Sequence, residues 1–456
     1  MSLHSGASVF SYPLELPPGP GGFKPKLELT YNSGSVDEMK NKRDMGSWVG
    51  IGWNLNMGRI SYDLDDTRYY LELNGASYEI VSSDNVTYYT NPDQHFKITR
   101  SGNTWNLYDK EGNYYRFGGT SDSQQYTGGT SGTYYRWDLS LMRDTNLNEA
   151  AITYSRDIKG TSPNDWVRSA YPATITYGSM QIIFTANSDN YDTDGTSILR
   201  YDNPQSTTLN PAPSVMENKH LDAVEIKAGT TLIRKYTFSY NTDDSKNRVS
   251  STDYGGIYYS GKLKLTGITQ VGANGTSTLP SMTFTYEDKQ IYVSDSVAVT
   301  YTGNPGNPAT LSWPHLTVVN SGYGGTVTYA YTEKPTSPVS DIWTREVVTT
   351  RTTNPGIGPS ETHTYSYTGN PQYFINDGND WEAKYRGFSQ VRETDAAGNY
   401  SEHYFNTVDA ADGDAEKLTG LETKTEWYRS DGSLFCNSDT TRRLLKLRSP
   451  GSKMIN

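Results

Sequence analysis

The sequence predicts an all-β protein built on an extended, curved antiparallel sheet, with several β-sandwich or propeller-like modules as the alternative arrangement. Three observations carry that reading. The chain holds 37 Tyr, 42 Gly and 9 Trp against only 20% charged residues, the make-up of a strand-rich and turn-rich chain. Apolar residues recur with period two along successive short stretches, as half-buried strands require. One phrase closes strand after strand: an apolar or polar residue, then Thr or Ser, then Tyr. Length decides little, because 456 residues suit either about three average domains or one large sheet.

The stretch from Gly21 to Ile60 organises the rest, and it contains two strand patterns joined by a charged, turn-prone insert. In the first, Phe23, Leu27, Leu29 and Tyr31 share one parity while Lys24, Lys26, Glu28 and Thr30 take the other. In the second, Ile51, Trp53, Leu55 and Met57 alternate with Gly52, Asn54 and Asn56 until Gly58 breaks the run. Gly46, Gly50, Gly52 and Gly58 mark sharp bends or close backbone approach, where a Cβ is costly. The expectation is a seam that closes a sheet and sets its curvature, with Trp48 and Trp53 packed inside.

Before the seam, residues 1–22 read as an extended lead-in, because Pro13, Pro17, Pro18 and Pro20 oppose regular structure. After it, Arg59 to Arg116 reads as the short strands ISYDL, RYYLEL, ASYEIV, HFKITR, TWNLYD and NYYRFG. Asn74-Gly75, Ser101-Gly102-Asn103 and Glu111-Gly112-Asn113 supply the turns between them, since such pairs tolerate positive φ. Residues 118–133 form a Gly/Ser/Thr loop, the candidate tip of a long hairpin.

From Tyr134 onward the repeating strand ending appears as Ile152-Thr153-Tyr154, Ile175-Thr176-Tyr177, Phe238-Ser239-Tyr240, Phe284-Thr285-Tyr286, Val327-Thr328-Tyr329 and Thr364-Tyr365-Ser366-Tyr367. An earlier copy, Leu29-Thr30-Tyr31, lies in the seam. The spacing drifts, as expected of degenerate units that bury little alone but stack into a continuous sheet. Residues 187–220 are the least regular portion, residues 301–310 mark the preferred internal boundary, and the basic stretch from Thr440 to Asn456 lacks β alternation. The division is therefore a lead-in over 1–22, a first sheet region over 23–300, a second over 301–437, and a tail over 438–456.

Charge and cysteine usage exclude several classes. A formal charge of −11 argues against nucleic acid and against anionic membranes, both of which call for a basic face. A single cysteine, Cys436, rules out an internal disulfide framework and a Cys-based zinc site. No run of about 18 apolar residues is present, so no membrane-spanning helix is expected. The first residues lack a basic segment followed by an apolar core, so no signal peptide is visible; a removed signal, another export route and an intracellular protein all remain open.

Chemistry is expected to be sparse, and the chain is expected not to be an enzyme. His4, His95, His220, His315, His363 and His403 sit in no catalytic motif, and His363 alternates with Tyr365 and Tyr367 like a structural residue. The nucleophile-elbow, zinc-protease and phosphate-loop motifs are absent. Asn190, Asp192 and Asp194, followed by Gly195, imitate the start of a calcium loop, but the twelfth position is Tyr201 instead of Glu. A solvated turn is the expectation there, with calcium the alternative. Asp409, Asp412, Asp414 and Glu416 form an acidic cluster without ligand spacing. No cofactor is expected. The tyrosines suit sheet-face packing, and stacking on sugar rings is the alternative that would make the protein a surface adhesin.

The quoted residues resemble the opening of SpvB-like and insecticidal toxin-complex B proteins. Gly22, Phe23, Pro25 and Tyr31 fall within a segment similar to that family's Gly-Phe-x-Pro-x-Leu-x-Leu-x-Tyr-x-Ser-Gly, and Gly50, Gly52 and Trp53 match its Gly-x-Gly-Trp-x-Leu. Arg136 to Tyr154 is similar to a further unit, departing at Leu147 where the family usually has Gly; Asn148 is expected to take the left-handed position. Leu316 to Tyr331, with its Gly324-Gly325 step, is similar to a third unit. Tyr385-Arg386-Gly387-Phe388, followed by Asp395 and Gly398, resembles an RHS/YD-repeat unit. The resemblance covers most of residues 10–435. It implies a sheet of RHS/YD-type hairpins forming part of a hollow shell around a toxic polypeptide, in a secreted or cell-surface virulence system. A partner chain or further YD-repeat segment would complete that shell and cover its open edges. The family's later run of YD repeats and its self-cleaving end are not found in this sequence.

Overall fold

The computed structural model describes residues 1–39, 45–55, 57–63, 67–82, 84–91, 93–128, 132–187, 200, 202, 214–241, 248–251, 256–259, 262–293, 298–299, 310–335, 344–375, 383–407 and 419–439. Among the described residues the protein is nearly all β, 60% strand and 4% helix. It divides into a larger body, Ser8–Tyr329 with Asn354–Pro359, and a smaller body, Met1–Ala7, Ala330–Thr353 and Ser360–Asn456.

In the larger body the seam forms a three-stranded antiparallel sheet of β1 (Val9–Pro13), β2 (Glu28–Asn32) and β3 (Trp53–Leu55). Tyr12 lies across from Leu29, and Tyr31 across from Trp53. The expected alternation is realised: Leu27, Leu29, Tyr31, Ile51, Trp53 and Leu55 are buried, as is Trp48. Two features differ from the sequence reading. The lead-in contributes β1, with Pro13 as its last residue. The insert opens with a short helix, α1 (Ser33–Glu38), which Asn32 caps by accepting the Gly34 N–H at 2.9 Å.

The short strands that follow close into a barrel of 8 strands. These are β4 (Arg59–Asp63), β5 (Arg68–Leu73), β6 (Ala76–Ser82), β7 (Thr87–Asn91), β8 (Lys97–Ser101), β9 (Thr104–Tyr108), β10 (Tyr114–Phe117) and, beyond β11 (Gln124–Thr127), β12 (Thr133–Arg143). Each pairs with the next along the chain, β10 pairs with β12, and β12 returns to β4 with Trp137 opposite Ile60. Its interior is filled: Ile60, Leu71, Ile98, Trp105, Leu107 and Trp137 are buried. The Arg100 guanidinium lies 4.9 Å from the ring centres of both Trp105 and Trp137. An eight-stranded barrel is narrow enough for side chains to fill, so this one is a packed core and no channel. Strand β7 was not expected from the sequence. Nor was β11, which lies in the stretch read as a loop: it pairs with β12, and buried Gln125 donates to Asp138 at 2.8 Å.

From β12 the sheet continues as a sequential antiparallel meander through β13 (Glu149–Lys159), β14 (Trp166–Tyr177), β15 (Met180–Asn187), β16 (His220–Ala228) and β17 (Thr231–Tyr240), then Leu265–Val271, Met282–Val293, Thr310–Asn320 and Thr326–Pro335. In the smaller body Thr344–Asn354, Glu361–Tyr367, Gln390–Thr394, Tyr400–Phe405, Glu422–Tyr428 and Leu434–Asp439 follow the same pattern. Among the described residues no helix is long and apolar enough to cross a membrane.

Candidate functional site

The repeating Tyr at strand ends ties its hydroxyl to backbone elsewhere in the chain, in most copies to a carbonyl. Tyr154 donates its hydroxyl to the Leu139 carbonyl at 2.7 Å, Tyr240 to Leu221 at 2.8 Å, Tyr286 to Leu265 at 2.7 Å and Tyr367 to Val348 at 2.6 Å. In each case the acceptor lies between 15 and 21 residues earlier in the chain. Tyr177 and Tyr329 make the same kind of bond to the N-terminal segment, to the carbonyls of Pro17 at 2.9 Å and Val9 at 3.3 Å. Tyr31 instead accepts the Leu316 N–H at 3.0 Å. Burial pushes the Tyr177 phenol up to about 12 and also raises those of Tyr31 and Tyr154, so all three hydroxyls stay protonated at ordinary pH. A ring that fills the sheet face and a hydroxyl that satisfies a carbonyl explain why Tyr, and not Phe, recurs at these positions.

The seam is locked by backbone proximity and one buried ion pair. A Cβ on Gly52, which has φ +76, would lie 2.4 Å from the Tyr31 ring. On Gly50, with φ +109, it would meet the Leu263 carbonyl at 3.0 Å. The fully buried Arg200 grips Asp202 at 2.6 and 3.0 Å and donates to the carbonyls of Gly46 at 3.0 Å and Ser47 at 2.9 Å. Asp202 in turn accepts the Leu263 N–H at 3.0 Å. Beside the seam lies a cavity of about 480 Å³ lined by Trp48, Trp53, Arg136, Asp138 and Tyr154 among others. Phe23 is half-buried against the same core, Pro25 is buried, and Gly22, at φ +82, ends a short 3₁₀ turn at the surface.

The Tyr385-Arg386-Gly387-Phe388 motif, in the smaller body, clamps the chain's first residues. Tyr385 donates to the Ser5 carbonyl at 2.8 Å, the Arg386 carbonyl accepts from His4 Nε2 at 2.6 Å, and Phe388 N–H donates to the His4 carbonyl at 3.0 Å. A Cβ on Gly387 would come within 2.4 Å of the His4 carbonyl oxygen, so the clamp excludes any side chain there.

Asp395 and Gly398 belong to a turn that recurs. The Asp395 carboxylate accepts from the N–H groups of Ala397 and Asn399 at 2.8 Å each and from Asn399 Nδ2 at 3.0 Å, with Gly398 at φ +85. Asp109 and Asp144 make the same three bonds, to Glu111 and Asn113 and to Asn146 and Asn148. In the Asp144 copy the left-handed residue is Leu147 itself, at φ +66, and not Asn148 as expected, because the carboxylate bonds fix the backbone regardless of the side chain. The turn survives with Leu147 strained.

Several histidines, which lack sequence motifs, acquire carboxylate partners on folding, among them His315 with Asp37 at 3.0 Å, His363 with Glu361 and Glu393 at 3.0 Å each, and His403 with Glu422 at 2.6 Å. Ser401 sits 2.9 Å from His403 Nε2. Sequence reading missed this group because Glu422 comes from another strand; the Ser-x-His spacing, which places both side chains on one sheet face, was the available signal. Asn190, Asp192, Asp194 and the cluster at Asp409, Asp412, Asp414 and Glu416 lie outside the described residues.

No family model and no curated protein matches the chain. Solved structures do. The structure described as TcdB2-TccC3-TEV is similar over 94% of this chain and 40% of its own, with TM-score 0.61 at 10% identity. The chain shares its fold with part of TcdB2-TccC3. TcdB2-TccC3 without the hypervariable C-terminal region gives TM-score 0.61 over 95% of this chain and 40% of that one, again at 10% identity. TcdB2-TccC3-Cdc42 gives TM-score 0.56 over 94% and 40%. The chain thus spans well under half the length of these Tc toxin neighbours.

Proposed function

We propose that this protein is a structural shell segment of an RHS/YD-repeat toxin system, helping to enclose or present a toxic polypeptide in a secreted or surface-exposed assembly. The observation that carries the reading is the match of 94% of the chain to 40% of a TcdB2-TccC3 structure. The mechanism is physical. A long sheet isolates cargo from protease and solvent, and its tyrosine bonds hold the strands together without chemistry on the cargo. The barrel is full, so cargo must lie against the extended sheet and not inside β4–β12. The place for a partner or a further segment of chain to add is the strand Leu434–Asp439. Among the described residues it pairs only with Glu422–Tyr428 and is exposed throughout, with Leu434 and Phe435 in solvent. Such an edge is a template for an added strand or for aggregation. The test is to co-express the chain with the polypeptides encoded beside it and treat the assembly with protease. A co-purifying polypeptide that resists cleavage supports enclosure; cleavage at the free-polypeptide rate contradicts it.

A further inference from the structure

The shell reading uses none of the chemistry in the smaller body, where Ser401, His403 and Glu422 stand in line. His403 Nδ1 lies 2.6 Å from Glu422 Oε1, and Ser401 Oγ lies 2.9 Å from His403 Nε2. A carboxylate only accepts, so Nδ1 carries the proton of the neutral imidazole and Nε2 is left to accept from the serine hydroxyl. Thr425 donates to the same Glu422 oxygen at 2.5 Å, which fixes the carboxylate. Phe405 lies nearly parallel to the imidazole at 17° and 6.5 Å. Nucleophile, base and orienting group are thus within hydrogen-bond reach in the order that acyl transfer requires. Ser401 also lines a cavity of about 410 Å³, with Trp427, Tyr428, Arg429 and Phe435 on its walls.

We propose that Ser401, His403 and Glu422 form an acyl-transfer site that hydrolyses small carboxylic esters carrying an apolar or aromatic group. Ser401 Oγ bonds to the carbonyl carbon as its proton passes to His403 Nε2. The adduct expels the alcohol, which leaves with that proton, and an acyl ester remains on Ser401. Water then adds to the acyl carbon and gives a proton to Nε2. The C–Oγ bond breaks, Oγ recovers the proton, and the carboxylic acid departs. Ser401 and His403 are the catalytic residues, while Glu422 and Thr425 position the imidazole. Trp427 and Phe435 supply the apolar wall against which the ester packs. The strand Tyr400–Phe405 is paired on both sides, so its N–H groups are committed to the ladder. Charge on the adduct therefore falls to Arg429, and turnover is expected to be slow. A histidine that merely fills the sheet face would leave Ser401 no more reactive than any exposed serine.

The full chain, treated with a fluorophosphonate probe and mapped by peptide mass spectrometry, should carry the label on Ser401. p-Nitrophenyl butyrate should be hydrolysed in parallel. Ser401→Ala and His403→Gln should each lower labelling and hydrolysis at least ~100-fold, with circular dichroism unchanged. Glu422→Gln should lower kcat while leaving KM unaltered, the signature of a positioning role. Ser366→Ala, on an exposed strand position, should behave as wild type. An unlabelled Ser401 in the wild-type chain, or equal labelling in His403→Gln, overturns the proposal.

Discussion

The indole Nε1 of Trp53 donates to the hydroxyl of Tyr286 at 2.8 Å, and that hydroxyl donates onward to the Leu265 carbonyl at 2.7 Å. One tyrosine therefore joins the seam to the meander. Tyr286→Phe removes the acceptor for the indole and the donor for the carbonyl while keeping the ring. The expected cost is about 1–3 kcal/mol, read as a lower midpoint in urea. Tyr323→Phe, at a position 65% exposed, should change the midpoint by less than about 0.5 kcal/mol.

Arg200 is the sharpest test of the seam lock. Replacing it with Ala strands Asp202 in the interior and frees the Gly46 and Ser47 carbonyls, so a loss of about 3–5 kcal/mol is expected. Thermal melts of Arg200→Ala and of the Arg200→Met/Asp202→Leu double variant should separate the two causes. If the charge left behind is what hurts, the double variant recovers part of the loss.

Leu147→Gly should stabilise. Leucine at φ +66 carries about 1–2 kcal/mol of strain, which exceeds the roughly 0.5–1 kcal/mol that glycine's extra freedom costs in the unfolded chain. A rise in melting temperature is the expected outcome, and a fall would show that the exposed Leu147 side chain makes a contact worth more than the strain.

Acid should loosen the smaller body through Glu402. Burial pushes its carboxyl up, but bonds from Arg392 and Tyr404 outweigh burial and hold it below the ordinary value of 4.5. A depressed folded value means the contribution is present above the unfolded value and is lost as pH falls through the folded one. Glu402→Gln should therefore melt below wild type at pH 7, with the gap closing as pH drops through the ordinary carboxylate range. Paired melts along a pH series read this directly.

Much of this architecture was legible locally. Period-two alternation placed Leu29, Tyr31, Trp53 and Leu55 in the core, and the glycines at 50 and 52 marked close approach. The repeated strand-ending Tyr was visible, although its purpose, a hydroxyl aimed at the carbonyl of an earlier strand, needed the register. What failed was long-range. Barrel closure rests on Ile60 meeting Trp137, a pairing that no local pattern announces. Strand β11 was hidden by its Gly- and Ser-rich surroundings and is held by tertiary bonds to β12. The Ser401–His403–Glu422 group likewise needed a third residue from a neighbouring strand, while Arg200 lay in a stretch too irregular to read.

Enclosure is the central claim of the proposal, which has the assembly extend at the exposed strand Leu434–Asp439. Cryo-electron microscopy of the chain bound to its natural partner or continuation tests it most directly. The account predicts a strand added alongside Leu434–Asp439 and a closed wall with polypeptide density on its inner side. A map in which that edge stays bare and no enclosed space exists would contradict it.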